Sequence, residues 1–173
     1  MAKQRVFLDT NVIIEAFRTQ CWSAICGRFA IETVASVVAE ALAGDPTEPG
    51  YVVVEEGPLR SGLAGIHEVT PLMRAALGLR HQEGEGLDLG ERDLLAWLLA
   101  QGPNLNGLLL LSTADKAAIV VTGRLQWLDH LACLASLAQE AGITRHQIEQ
   151  FREHFKAKWL DAIRMKVRLG VIP

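Results

Sequence analysis

The sequence contains few cysteines and no long uninterrupted apolar run. Its 173 residues include three cysteines, an odd number that forms no CxxC pair, so neither a disulfide framework nor a zinc site is indicated. No apolar run reaches the roughly 18 residues that a membrane-spanning helix requires. Residues 1–9 also lack the apolar core of a signal peptide. We therefore expect a reduced, cytoplasmic protein that has no membrane partner.

Several common catalytic motifs are missing as well. The glycines form neither a GxGxxG fingerprint nor a GxxxxGK[ST] loop, which argues against a dinucleotide or P-loop nucleotide site. The histidines are not spaced as HxH or HxxxH, so we expect no histidine metal centre. Asp9-Thr10-Asn11 lacks the second acid of the Asp-x-Asp motif found in haloacid-dehalogenase-type phosphatases. The acidic side chains remain as the candidates for chemistry.

Size and composition fit one domain with a full hydrophobic core, since 50% of the residues are hydrophobic and 21% are charged. The charge is unevenly distributed. Residues 145–173 hold seven basic and three acidic side chains, whereas residues 1–144 hold ten basic and seventeen acidic ones. The acidic part is either a solvated surface or a group of acids held together by cations. The basic end is either an outer helix face or a surface for phosphate or an acidic partner.

Predicted strands alternate with predicted helices along the chain. Apolar runs predict strands at 5–8, 33–35, 51–54, 66–69 and 108–111. Periodicity and cap residues predict helices over 12–29 with a break at 19–21, 36–43 with Ser36 as N-cap, 71–79, 90–100, 115–121 and 126–141, and loops at 44–50 and 81–89. The alternation is typical of an α/β fold whose mostly parallel sheet is covered by helices on both faces. Functional sites in such folds lie at the carboxyl ends of the strands.

The C-terminal part has a complete helix-start signal. Thr144 is the predicted N-cap and Gln147 completes a capping box. Apolar residues at spacings of three and four then predict one amphipathic helix that continues to about residue 168. We therefore expect a main domain over 1–142 and an extension over 143–173 that packs on this domain or on a partner.

Four carboxylates lie at predicted strand ends or on predicted helices. Asp9 and Asp115 follow predicted strands, and Asp93 lies in the first turn of the helix over 90–100. Glu40 lies on an otherwise apolar helix that contains no Lys or Arg, so its burial would require a partner. Each acid by itself is explained by helix capping, by a helix dipole or by solvent exposure. Together they would suit a shared Mg²⁺ or Mn²⁺ ion, which prefers oxygen ligands and activates water for phosphodiester cleavage.

The order and surroundings of these acids resemble the motifs of PIN-domain nucleases. The matching segments are 6–12, 36–40, 90–96 and 112–118, and the resemblance covers residues 5 to about 120. It implies a PIN-like α/β/α sandwich with a short, mostly parallel sheet, followed here by a C-terminal helical extension. It also implies a Mg²⁺- or Mn²⁺-dependent endoribonuclease that cuts single-stranded RNA and leaves a 3′-hydroxyl and a 5′-phosphate. One or two ions would be held by the matching acids, which are Asp9, Glu40, Asp93 and Asp115.

The resemblance also assigns supporting positions. Asn11 and Thr113 match polar residues that support the site through hydrogen bonds. Glu91 competes with Asp93 for the role of third acid, because the two carboxylates lie two positions apart and point to different sides of the helix. We prefer Asp93. Lys116 and Arg92 lie next to the motifs and are candidates for contact with RNA phosphates. The alternative is that both are ordinary surface charges.

For a small domain, the resemblance implies a VapC-like toxin of a toxin–antitoxin pair, with RNA as substrate, an antitoxin protein as partner and a homodimer as the expected assembly. Two alternatives stay open. The first is a housekeeping RNA-processing nuclease without an antitoxin, and the second is a non-catalytic interaction domain that docks a partner through its C-terminal helix. The chain departs from the family pattern at 44–70, which does not align, and after Asp115, where no clear final strand follows.

Overall fold

A computed structural model describes residues 2–81, 86–102 and 109–172. In these residues four strands form one parallel sheet in the order β3-β2-β1-β4. Their bounds are β1 Arg5–Leu8, β2 Ala30–Val34, β3 Leu63–His67 and β4 Leu109–Ser112. Helices flank this sheet, so the expected α/β class with a mostly parallel sheet is confirmed.

Ten α-helices are present in the described part of the chain. They are α1 Thr10–Arg18, α2 Trp22–Arg28, α3 Ala35–Leu42, α4 Glu56–Gly62, α5 Pro71–Arg80, α6 Leu89–Ala100, α7 Lys116–Arg124, α8 Leu134–Glu140, α9 Arg145–Glu149 and α10 Ala157–Arg168. Two 3-10 turns are found at Leu128–His130 and Glu153–Phe155. None of the described helices is both long and apolar enough to cross a membrane.

The central strand β1 determines where the acids lie. It pairs in parallel with β2 on one side and with β4 on the other, and its register places Leu8 beside Ser112. The backbone N–H of Asp9 continues this ladder by donating to the Ser112 carbonyl at 3.2 Å. The turns that follow β1 and β4 therefore lie next to each other at the carboxyl edge of the sheet.

The predicted strands were displaced or absent in three places. The second and third strands lie at 30–34 and 63–67, a few residues before their predicted positions. The predicted strand over 51–54 is wrong, because this segment pairs with no strand among the described residues. The Tyr51 ring instead packs over Gly44, where an added Cβ would lie 2.7 Å from the ring. Ser36 is also not an N-cap: α3 already begins at Ala35, and its cap residue makes no side-chain bond.

The region after α7 is more broken than predicted. A single helix over 126–141 is wrong in its first half, since Gln126 has a left-handed φ of 63° that ends the preceding helix. Leu131 then forms one isolated parallel bridge with Leu111, beside β4, before α8 begins. The sequence shows no clear strand after Asp115, and this single bridge is the strand-like pairing that follows Asp115 among the described residues. Residue 108 and residues 82–85 of the predicted loop lie outside the described residues.

The C-terminal part starts as predicted but does not form one helix. The Thr144 hydroxyl accepts from the Gln147 backbone N–H at 3.4 Å, which confirms the N-cap. The helix nevertheless ends at Glu149, because the Arg152 backbone N–H donates to the buried Glu15 carboxylate at 2.9 Å. The later helix α10 packs against α7 and buries Leu160 and Ile163. The C-terminal segment therefore folds onto its own chain.

Candidate active site

Asp9 is the buried acid at the end of β1. One oxygen, Oδ1, accepts from the Val12 backbone N–H at 2.9 Å and caps α1. The residue is 1% exposed, and its second oxygen, Oδ2, is buried and makes no hydrogen bond of good geometry. Burial raises the pKa of Asp9 to about 6, with a small further contribution from the charge of Asp115, although the Thr113 hydroxyl and the Val12 and Ala114 backbone N–H groups act to lower it. A buried carboxylate oxygen that is poorly hydrogen-bonded is costly, and cation binding is one way to satisfy it.

Asp115 lies three residues beyond the end of β4 and, like Asp9, caps the helix that follows its strand. Its Oδ1 accepts from the Ala118 backbone N–H at 2.9 Å and caps α7. The buried Thr113 hydroxyl accepts from the Asp115 backbone N–H at 3.2 Å and so fixes the turn between strand and helix. Because β1 and β4 are neighbours in register, these two strand ends bring Asp9 and Asp115 together.

Glu91 faces both of these acids from the first turn of α6. It is 7% exposed, and burial followed by the charges of Asp115, Asp9 and Asp88 raises its pKa to about 8. A cavity of about 10 Å³ lies between Asp9, Glu91 and Thr113, with apolar side chains forming the rest of its wall. That volume corresponds to about one water-sized sphere. The three acids Asp9, Glu91 and Asp115 thus form one electrostatically coupled group, which we call the acidic group.

Glu40 lies beside the acidic group but has both of its oxygens occupied. Oε2 accepts from the Thr10 hydroxyl at 2.6 Å, and Oε1 accepts from the Gly90 backbone N–H at 2.8 Å. The side chain therefore connects α3 to the first turns of α1 and α6. Gly90 is required for this contact, since a Cβ there would lie 2.4 Å from Glu40 Oε2.

Asp93 is held away from the acidic group by an ion pair. The Arg74 guanidinium donates to its two oxygens from Nε at 2.6 Å and from Nη2 at 2.8 Å. Burial acts to raise the pKa of Asp93, but the hydrogen bonds and charge of Arg74, with smaller contributions from Ser36 and Arg92, together outweigh it, so that the pKa is lowered. The spacing of two positions separates Asp93 from Glu91, as expected from the sequence. It is Glu91, however, the alternative third acid, that faces Asp9 and Asp115.

The remaining sequence candidates lie around this edge. Asn11 is exposed in the first turn of α1, and Lys116 is exposed at the start of α7. Arg92 is half-buried on α6, and its Nε makes no hydrogen bond. Within residues 2–81, 86–102 and 109–172, no three acidic, histidine or cysteine side chains are arranged as they stand to hold a metal ion.

Three residues of this region escaped sequence reasoning. Thr10 and Gly90 each adjoin a residue that had been singled out, so their positions next to Asp9 and Glu91 were the available signal. Arg74 had no such signal. It lies 19 residues before Asp93 and reaches it only because α5 packs on α6.

The arrangement concentrates negative charge where two strands and one helix meet. Asp9 and Glu91 both bind protons more tightly than isolated carboxyl groups do, because burial and mutual repulsion disfavour their ionised forms. A proton or a cation relieves this repulsion.

Comparison of the chain with protein-family models, with curated proteins and with solved structures found no match.

Proposed function

We propose that the chain is a PIN-like, Mg²⁺- or Mn²⁺-dependent endoribonuclease that cleaves single-stranded RNA. The observation that carries this proposal is the acidic group, in which the buried Asp9 Oδ2 atom makes no hydrogen bond of good geometry and the Glu91 carboxyl has its pKa raised to about 8. Hard divalent cations prefer such oxygen ligands. The order of the four acidic motifs along the chain supports the PIN-like assignment within the α/β fold.

A divalent cation would be held by Asp9, Glu91 and Asp115 after a shift of their side chains, since as they stand the three are not arranged around one ion. This assignment replaces Asp93 with Glu91, because both oxygens of Asp93 are bonded to Arg74. Glu40 keeps a place at the site through its bonds to Thr10 and Gly90, by which it positions the helix starts that carry the other acids. Thr113 fixes the turn that presents Asp115.

The chemistry expected of the bound cation is Lewis-acid activation of water and of the scissile phosphate. The protein supplies orientation. The backbone N–H groups of Val12 and Ala118 each donate to one oxygen of the capping aspartate, Asp9 or Asp115. The helix start thereby fixes the orientation of the carboxylate and of its second oxygen. Lys116, which is exposed, and Arg92, which is half-buried, are the cations that would contact RNA phosphates beside an otherwise repulsive site.

A toxin of a toxin–antitoxin pair is the biological role we propose for this activity, in a homodimer and with an antitoxin protein as partner. Growth arrest on expression in a bacterial host, relieved by Asp115→Asn, would support this role. Normal growth at the same level of folded protein would favour the housekeeping nuclease. Sedimentation at micromolar concentration tests the homodimer separately from the nuclease.

The decisive experiment is cleavage of a mixed single-stranded RNA by the purified chain in Mn²⁺, in Mg²⁺ and in EDTA. We expect metal-dependent cleavage that is lost in Asp9→Asn and in Glu91→Gln. Glu149→Gln is the matched control, because Glu149 is an exposed carboxylate whose side chain is 61% accessible. The thermal midpoint of each variant is measured in parallel with and without Mn²⁺.

Two results would contradict the proposal. One is a wild-type chain that neither cleaves RNA nor gains thermal stability in Mn²⁺. The other is cleavage that persists at the wild-type rate in Asp9→Asn, since this change removes the charge of the most buried acid of the group. Cleavage lost in Asp93→Asn but kept in Glu91→Gln would restore Asp93 as the third acid.

A further inference from the structure

A second cavity lies at the amino ends of the strands, opposite the edge that holds the acidic group. Its volume is about 480 Å³, and it lies between α2, α4 and the first residues of β2 and β3. Pro58, Leu63 and Ala64 contribute accessible apolar surface to its wall, and Trp22 and Phe29 lie almost fully buried behind it. This size falls within the range of about 300–1,000 Å³ that is usual for small-molecule sites.

The wall of this cavity is fixed by close packing between α2 and α4. The Trp22 indole N–H donates to the Pro58 carbonyl at 2.9 Å. Gly62 permits this approach, since a Cβ at that position would lie 2.7 Å from Trp22 Nε1 and 2.9 Å from Cys26 Sγ. Trp22 is also stacked on Phe17, with ring centroids 5.2 Å apart. The apolar wall is therefore formed before any ligand enters.

The polar groups at this cavity favour an anion. Lys3 is the one charged side chain among the described residues that line it. Its Nζ donates to the Cys26 carbonyl at 2.9 Å, and an ammonium group has two further N–H donors. The hydroxyls of Ser23 and Ser61 lie in the same wall.

Cys26 does not make this cavity a reaction site. Burial raises the pKa of its thiol to about 12, so that the thiol stays protonated at neutral pH. A neutral thiol acts as a small apolar group. The cavity thus combines an apolar wall with one cation and two hydroxyls, and binding is the role it supports.

We propose that this cavity binds a small amphipathic monoanion, namely a carboxylate attached to a compact aliphatic or aromatic body. The body would pack against Pro58, Leu63 and Ala64, and the carboxylate would accept hydrogen bonds from Lys3. A neutral molecule of the same shape would leave the Lys3 charge without a partner, whereas a cation would be repelled. The site is separate from the acidic group, so this proposal does not depend on the proposed nuclease activity.

The test is isothermal titration of the full chain with 4-phenylbutyrate and with decanoate, beside 4-phenylbutanol as the uncharged analogue. Gly27→Leu adds a bulky side chain at the cavity wall: Gly27 lines the cavity, and an added Cβ there meets nothing within 4 Å. Leucine also favours the helix at this position, so the variant is expected to fold. Gly78→Leu is the matched control, since Gly78 lies in α5 away from the cavity and its Cβ position is equally open.

We expect at least one carboxylate to bind the wild type and Gly78→Leu equally, and to lose binding in Gly27→Leu. Lys3→Met should weaken the carboxylate by about three- to fivefold, the range of an exposed ion pair, and leave the alcohol unchanged. The site is refuted if neither carboxylate binds the wild type, or if Gly27→Leu binds as tightly as Gly78→Leu. The anionic class of ligand is refuted if Lys3→Met leaves carboxylate binding unchanged.

Discussion

Glu40 on α3 accepts a 2.8 Å hydrogen bond from the backbone N–H of Gly90 in the first turn of α6. Its other oxygen accepts from Thr10, the first residue of α1. One carboxylate therefore fixes the starts of two helices, of which one is capped by Asp9 and the other carries Glu91. The positions of these acids relative to each other depend on a side chain that need not contact a cation.

Gly90→Ala should disrupt this connection. The new methyl group would lie 2.4 Å from Glu40 Oε2, so the carboxylate or the helix start must move. We expect a loss of about 1–3 kcal/mol in the free energy of unfolding, measured by urea denaturation, together with reduced RNA cleavage. Gly78→Ala is the control, because nothing lies within 4 Å of its added Cβ and it should be neutral or slightly stabilising. Equal stabilities of the two variants would contradict the role assigned to Gly90.

Asp93 and Arg74 should behave as a stability pair. Asp93 is 2% exposed, so Asp93→Asn leaves Arg74 facing a neutral group and should cost about 2–3 kcal/mol of unfolding free energy. A double-mutant cycle with Arg74→Met should give a coupling energy of about 1–3 kcal/mol. The Mn²⁺-induced rise in thermal midpoint should persist in Arg74→Met. Loss of that rise with the fold intact would show that the ion pair belongs to the cation site.

Glu91 should make the protein less stable as the pH rises. Its pKa is raised from 4.5 to about 8, so the folded state holds a proton that the unfolded state releases earlier. The contribution of Glu91 to the free energy of unfolding is fully present below pH 4.5 and is lost as the pH rises to about 8. Glu91→Gln should therefore reduce the pH dependence of the thermal midpoint between these two pH values, and it should raise the midpoint most at the alkaline end. A variant with the same pH profile as the wild type would show that Glu91 is not the titrating group.

Glu15 should hold the C-terminal segment on α1. Its buried carboxylate accepts from the Arg18 side chain and from the Arg152 backbone N–H, and Arg18 also donates to the Gln150 carbonyl at 2.9 Å. We expect Glu15→Gln to lower the free energy of unfolding by about 2–4 kcal/mol, because Arg18 then loses the buried carboxylate that compensates its charge. Trypsin should then cleave faster after Arg152. Glu149→Gln, an exposed change, should alter stability by no more than about 0.5 kcal/mol.

The strand ends were the features that local sequence reasoning predicted well. An apolar run followed by an acid predicted Asp9 at the end of β1 and Asp115 beyond β4, since burial of a strand and capping of the next helix are local properties. The N-cap at Thr144 was local in the same sense. These positions place two of the three members of the acidic group.

Features that depend on distant packing could not be predicted in this way. Periodicity continued past Glu149, but the helix ends there because Glu15, 137 residues away from Arg152 in sequence, binds that backbone N–H. The ion pair of Asp93 with Arg74 likewise requires the packing of α5 on α6. The choice between Asp93 and Glu91 as third acid was therefore not available from the sequence.

The pairing of β1 with both β2 and β4 has a consequence for synthesis on the ribosome. A nascent chain can form β1 and β2 early, but one edge of the apolar strand β1 has no partner until residues 109–112 have been made. Asp115 follows immediately after this segment. The last β-strand of the sheet and the last acid of the group are thus completed together. A chain truncated before residue 109 is left with an uncovered strand edge, which favours aggregation, and without the acidic group.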